Sequence, residues 1–229
     1  MKKAPPYEKL YIENYEENNN GKNISSLFFK LSHKKLESML EPNYFADKVL
    51  EVGSGIGTHF KFVNHKYNKY LMTDSNDDML RIAKKYYKKN IDNRKLIIEK
   101  QNASNLDYED KTFDRLIATH VLEHLVFPVK VLEEWSRVVK DGGLISIILP
   151  SDPGLLWRIG RNFGPRRNAL KKGIEYDYCQ SIEHVNSIYN LYTLIDYHFP
   201  NKSQIWHPFY INNPDLNLFY LCHLQKPKV

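Results

Sequence analysis

Leu50-Glu51-Val52-Gly53-Ser54-Gly55-Ile56-Gly57 is a short apolar run that breaks into a turn with glycine at every second position. The run reads as a buried strand, and the glycines let the chain reverse tightly and bring its backbone close to a ligand. A helix expected to start near Gly57 would offer free N–H groups to a negative group. The dinucleotide fingerprint wants its third glycine where this chain has Thr58, and here Glu51 stands two residues ahead of the first glycine. That spacing disfavours a pyrophosphate site. Asp74 ends the next apolar run, 21 residues after Gly53. A carboxylate there can accept from both hydroxyls of a ribose, so turn and acid together point to an adenosine ligand.

Outward from this stretch, short apolar strands alternate with amphipathic segments. Strands are expected at 48–52, 69–73, 95–99, 113–119 and 144–149, and helices at 57–63, 77–87 and 129–139. This alternation is the pattern of a parallel sheet covered by helices on both faces, with right-handed crossovers. After Pro150 the chain turns basic, then reads as a helix over 187–198 and two β-like runs, 204–210 and 216–224. Their aromatic and β-branched content suits an antiparallel pair closing the sheet edge.

In order along the chain stand Glu51-x-Gly53-x-Gly55-x-Gly57, Thr73-Asp74, Gln101-Asn102-Ala103, Thr112-Phe113-Asp114, His120-Val121-Leu122-Glu123-His124 and Val138-Val139-Lys140-Asp141-Gly142-Gly143. The set resembles the ordered motifs of class I S-adenosylmethionine-dependent methyltransferases over roughly residues 44–150. Two positions depart: Asn102 replaces the usual aspartate, and Asp141 the usual proline of the turn. The resemblance implies an α/β fold, a Rossmann-like three-layer sandwich with a seven-stranded, mostly parallel sheet and an antiparallel C-terminal strand pair. It implies S-adenosyl-L-methionine as cofactor; no metal is expected, since the chain shows no Cys/His spacing for one. Carried over, Gly53, Ser54, Gly55 and Gly57 would approach the methionine portion, with Glu51 near its amino group. Asp74 would hold the ribose, Ser75 and Met79 border the adenine, Asn102 and Ala103 read its edge, and His120 lie beside the methionine tail. Met79 reads equally well as plain helix core.

The length of 229 residues, with 42% hydrophobic, supports one core and a decoration. The expected single domain divides into an N-terminal helical cover (1–43), a cofactor-binding core (44–150), a basic substrate lid (151–186) and a C-terminal helix and strand pair (187–229). No apolar run approaches the roughly 18 residues of a membrane span, and the leader lacks a secretory h-region. A cytoplasmic protein is expected. Cys179 and Cys222 lie far apart without metal-ligand spacing and read as reduced thiols. In the polar leader Tyr7, Tyr11 and Tyr15 share one helical stripe, either a cofactor cover or core packing. Ala4-Pro5-Pro6-Tyr7 lacks the leading acid or amide of a base-methylating motif.

Methyl transfer from a sulfonium needs an aligned nucleophile and exclusion of water, and a hydroxyl or protonated amine also needs a base. Histidine is the natural one. His120 and His124 fall at a strand end on the ligand side, although Glu123 and His124 could instead brace the next helix. Glu183 and His184 are read as an acid and base pair, with His120 as a further catalytic candidate and Tyr178 lining the acceptor site. The alternative is that Glu183 and His184 cap the helix starting near Asn186 or Ser187.

Between Pro153 and Ile174 lie Arg158, Arg161, Arg166, Arg167, Lys171 and Lys172 and no acid, a local charge equal to the whole-chain +6. Arg158 and Arg161 are the candidates for an anionic acceptor, since a guanidinium fork suits phosphate, while a solvated basic loop is the plainer reading. The run 155–161 reads as a short amphipathic helix able to close over the site. Together with Asp152-Pro153-Gly154 and Glu183-His184-Val185-Asn186, this region is weakly similar to small-molecule methyltransferases associated with surface-polysaccharide assembly. The expected reaction is therefore methylation of an O or N atom of a small anionic acceptor, such as a nucleotide-linked or phosphorylated sugar. An RNA methyltransferase and a non-catalytic cofactor-binding partner protein are the alternatives. RNA is disfavoured by the lack of an RNP-type motif and of length for an appended module.

Overall fold

A computed structural model describes residues 24–228. Helix α1 (Ile24–Ser38) leads into β1 (Phe45–Val52), and a 3-10 turn (His59–Phe62) connects to β2 (Lys66–Asp74). Then come α2 (Asp77–Tyr86), α3 (Lys88–Asp92), β3 (Leu96–Lys100), β4 (Phe113–Thr119), α4 (Pro128–Val138) and β5 (Val139–Pro150). The chain ends through α5 (Leu155–Phe163), α6 (Pro165–Lys171), α7 (Tyr176–Glu183), α8 (Ile188–His198), β6 (Lys202–His207) and β7 (Phe219–Gln225). The leader features Tyr7, Tyr11, Tyr15 and Ala4-Pro5-Pro6-Tyr7 lie outside the described residues.

The strands form one seven-stranded sheet in the order β3-β2-β1-β4-β5-β7-β6. Strands β1 to β5 pair in parallel, and β7 runs antiparallel to both β5 and β6. Side chains alternate across the sheet. Leu50, Val52, Leu116 and Ala118 point to one face and pack with Trp135 of α4 and Leu191 and Ile195 of α8. Val49, Tyr70, Met72 and Ile117 point to the other and pack with Leu80 and Ala83 of α2, while Leu36 of α1 covers Ile148 and Leu221. Both faces are buried, as parallel strands require, and the layers are helix, sheet, helix. Truncating the fully buried Trp135 to alanine would cost roughly 3–5 kcal/mol on this account.

Local signals set the helix starts. Asn76 caps α2 by accepting from Asp78 N and Met79 N, with Asp77 and Asp78 in the first turn and Lys84 and Lys85 in the last. Ser187 caps α8, settling the choice between Asn186 and Ser187.

The helix expected over 57–63 is replaced by the 3-10 turn His59–Phe62. Strand β2 starts at Lys66, so residues 53–65 must complete a whole parallel crossover, which is near the minimum length for one. The buried His59 side chain also anchors the segment to Glu37 (3.0 Å) and His33 (2.9 Å). Residues 139–143, expected as a turn, extend β5, with a register irregularity opposite Phe113 and Arg115 and Gly142 at φ 77°.

The order reverses between β1 and β4: the chain moves outward through β2 and β3, then returns beside β1 at β4. A ligand crevice belongs at the carboxyl ends of those two strands.

Candidate active site

A cavity of about 820 Å³ opens at this reversal, a volume within the usual range for ligand sites. Its floor is the glycine turn. Gly53 and Gly55 line it and take left-handed backbone, at φ 58° and 56°. A side chain on Gly53 would meet Val121 at 2.6 Å, so this glycine seats the turn against the loop after β4. Gly57 does not reach the cavity. Its φ is 80°, and a Cβ there would meet Met72 and Tyr87 at 2.6 Å, so close packing on the core requires glycine.

Ser54, Asp74, Ser75, Met79, Asn102, Ala103 and His120 all line this cavity. Asp74 Oδ2 accepts from Gly55 N at 2.8 Å and Oδ1 from Asn76 N at 2.8 Å, which ties the acid to the turn. Burial nevertheless pushes its carboxyl above the ordinary value. Asn102 Oδ1 accepts from Ser104 N at 2.9 Å, so one of its lone pairs is spent in its own loop. Ala103 is fixed by its carbonyl, which accepts from Trp135 Nε1 at 2.8 Å.

Glu51, expected near an amino group, is buried outside the lining, and its Oε1 has no hydrogen-bond partner. Its Oε2 accepts from Tyr70 OH at 2.7 Å, while burial raises its carboxyl to about 7. Strand alternation is the cause, because Glu51 points to the same face as Val49 and Tyr70.

The other end of the cavity is polar. His120 follows β4 in left-handed backbone (φ 58°) and stacks on Phe29 of α1 at 4.7 Å. Burial lowers its pKa to about 3, so this ring stays neutral and is poorly suited to take a proton at neutral pH. Beyond it come Glu123 and His124 from the 3-10 turn Leu122–His124, then Glu183 and His184 from the end of α7. Asn186 clamps the two segments together, its side-chain amide donating to Leu125 O at 2.6 Å and its backbone N–H to Glu123 O at 3.1 Å.

Glu183 and His184 are not partners. His184 Nδ1 bonds Asp152 Oδ2 at 2.7 Å, whereas Glu183 Oε2 stands 3.3 Å from His124 Nδ1. Glu183 ends the helix and His184 is its C-cap, so the two side chains diverge. Asp152, just after β5, is the acid that sequence reasoning missed. Burial raises its carboxyl, but the hydrogen bond from His184 and the other interactions around it outweigh this and hold it below the ordinary value.

Tyr178 also lies outside the lining and is 46% exposed. On α7 the inward stripe is Tyr176, Cys179, Gln180 and Glu183, the i, i+3, i+4, i+7 face, and Tyr178 falls between its members. On α5 Arg161 lines the cavity and Arg158 does not. Arg166 spends its guanidinium on Asp177, at 2.8 and 2.6 Å, while Lys172 joins Arg161 in the lining.

Residues 50–147 match a family model described as a methyltransferase domain. This stretch, a little under half of the chain, is therefore similar to methyltransferase domains. The domain is 28% identical over 101 residues to a phosphatidylethanolamine N-methyltransferase of Cereibacter sphaeroides, covering 44% of this chain and 49% of that one. It is 30% identical over 131 residues to an uncharacterized protein of Methanocaldococcus jannaschii, covering 55% and 47%. The matched region spans about half the length of these curated relatives. A solved Thermotoga maritima structure, described as a "SAM-dependent methyltransferase, possible histamine N-methyltransferase", superposes with a TM-score of 0.65 at 18% identity, over 95% of this chain and 99% of that one. This likeness shows the seven-stranded methyltransferase fold.

S-adenosylmethionine is the cofactor of the domain, and the residues present fit it. Ser54 Oγ and Thr58 Oγ1 are buried at the glycine turn without a hydrogen-bond partner, as polar groups awaiting an amino-acid moiety would be. Asp74 and the buried thioether of Met79 supply a polar and an apolar wall farther along. Among the described residues no helix is long and apolar enough to cross a membrane.

Proposed function

We propose that the protein transfers a methyl group from S-adenosylmethionine to an oxygen or nitrogen of a small acceptor. The observation that carries this reading is the continuity of one cavity from the glycine turn, through His120, to Glu123, His124 and His184. When bound, the cofactor supplies an electrophilic methyl group, so the protein's task is to align a nucleophile and keep water out. Phe28, Phe29, Leu156, Trp157 and Phe219 give the walls an apolar character that serves exclusion. Gly53, Ser54, Gly55, Thr58, Asp74, Met79 and Ala103 are the cofactor-binding residues on this reading. The acceptor's proton leaves toward the cluster formed by Glu123, His124 and His184.

The acceptor is an anionic small molecule, such as a phosphorylated or nucleotide-linked sugar. Arg161 supports this, because its Nε is buried without a partner in the cavity wall, and Lys172 lines the same wall. A second reading is an amine acceptor. It draws on the three carboxylates at this end, Glu123, Asp152 and Glu183, and on the amine-methylating relatives.

A panel of phosphorylated sugars, sugar nucleotides, amines and RNA, each offered with methyl-labelled S-adenosylmethionine, separates these readings. Label in a sugar phosphate or sugar nucleotide is expected. Label in RNA alone, or cofactor binding without turnover on any fraction of a cell extract, would contradict the proposal.

A further inference from the structure

Glu123, His124 and His184 come from two segments distant in sequence, yet one ligand-type atom from each lies within 4.8 Å of the other two. His124 Nδ1 bonds the carbonyl of Glu183 at 2.7 Å. A carbonyl only accepts, so Nδ1 carries the proton and Nε2 keeps its lone pair. His184 Nδ1 bonds the Asp152 carboxylate at 2.7 Å, which orients that ring in the same way. Both rings are thus held at Nδ1 by an outer oxygen, and Nε2 of each has no hydrogen bond among the described residues. This is the outer-shell arrangement that orients imidazoles toward a metal.

The third group completes the set. Glu123 is 2% exposed, its Oε2 has no hydrogen-bond partner, and its Oε1 stands 3.8 Å from His124 Nε2. Two ligands about 2.1 Å from one zinc ion at a tetrahedral angle stand about 3.4 Å apart; the 3.8 Å pair is near that spacing, and the remaining separations, within 4.8 Å, would close by side-chain rotation. A buried carboxylate oxygen without a partner is costly, and an ion would relieve it.

We propose that Glu123, His124 and His184 bind one divalent transition-metal ion of the zinc class, with an open coordination position facing the cavity. Two imidazoles and one carboxylate favour such an ion over magnesium or calcium, which prefer all-oxygen sets. All three residues line the cavity, so the open position meets the acceptor space. An acceptor hydroxyl bound there would lose its proton near neutral pH, as metal-bound water does. Glu183, which lines the cavity and is not a ligand, is placed to receive it, because the ion would occupy the other three residues. This role deepens the methyl-transfer reading and rests on it; the binding of the ion does not.

Calorimetric titration of chelator-stripped protein with zinc chloride tests the site, with S-adenosylmethionine binding measured on the same samples. One equivalent is expected at micromolar affinity or tighter. E123Q, H124A and H184A should each weaken it at least about 10-fold, and D152N by about 10-fold through loss of ring orientation. Retained cofactor affinity in each variant shows that it is folded. Zinc binding absent from the wild type, or equally tight in E123Q and H184A, overturns the site. If the cofactor binds and zinc does not, the ion fails and the methyltransferase reading stands; the reverse result sinks that reading and keeps the metal.

Discussion

Asp152 Oδ2 and His184 Nδ1 stand 2.7 Å apart, joining the chain just beyond β5 to the end of α7 across the acceptor end of the cavity. This bond fixes the His184 ring, which lines the cavity, and its other nitrogen has no hydrogen bond among the described residues. His184→Ala should lower turnover by about 100-fold or more while leaving cofactor affinity within about threefold. Asp152→Asn should cost about 10- to 100-fold. Glu183→Gln should cost less than Asp152→Asn, because Glu183 faces His124 instead. Initial rates and calorimetry on the three variants check the order.

Asp74 serves at the opposite end. Its carboxylate braces Gly55 and Asn76 and borders the cavity where the proposed reading puts the ribose. Asp74→Ala should weaken S-adenosylmethionine by about 10- to 100-fold, equivalent to roughly 1.5–3 kcal/mol for hydrogen bonds to a charged group. Turnover at saturating cofactor should change by about threefold or less. A calorimetric Kd beside saturation kinetics separates the two effects.

Two glycines in left-handed backbone make a clean comparison. A Cβ at Gly57 (φ 80°) would strike Met72 and Tyr87, whereas one at Gly173 (φ 72°) meets nothing within 4 Å. Gly173→Ala should therefore cost only the backbone term, about 1–2 kcal/mol. Gly57→Ala adds overpacking and should cost roughly 2–5 kcal/mol. Urea melts of the two variants give the difference directly.

Glu51 carries a pH prediction. Burial raises its carboxyl from an ordinary 4.5 to about 7, so in that interval the folded protein holds a proton that the unfolded chain has released. Its contribution is most favourable below about pH 4.5 and is lost as pH rises through about 7. Glu51→Gln, which keeps the shape, should change stability little at pH 4.5 and raise it at pH 8 by up to the order of 3 kcal/mol. Melting the pair across this range tests the sign.

Strands were legible wherever both faces are buried. The expected strand over 113–119 matches β4, because Leu116, Ile117 and Ala118 are all fully buried and leave a continuous apolar run. The crossover after β1 misled, since Gly57 to Val63 carries helix-like spacing but lacks the length to complete both a helix and the return to β2. Cavity-lining glycines and Asp74 were readable because turn geometry and strand ends place them. The acceptor end was not. Asp152 meets His184 across 32 positions, a pairing set by how three short helices fold back on the sheet, and no local pattern encodes it. Tyr178 and Arg158 failed for a related reason: their chemistry was right for a site, but helical phase turns them away from it.

On the proposed function this cavity binds S-adenosylmethionine and delivers its methyl group to a small molecule. The most direct test incubates the purified protein with methyl-labelled S-adenosylmethionine and a small-molecule extract, then follows label by mass, with Asp74→Ala and His184→Ala alongside. One cofactor bound per chain and label in a small acceptor are expected, with label lost in His184→Ala at any cofactor concentration and in Asp74→Ala when the cofactor is well below saturation. Tighter binding of NAD than of S-adenosylmethionine, or label transfer unchanged by either substitution, would contradict that function.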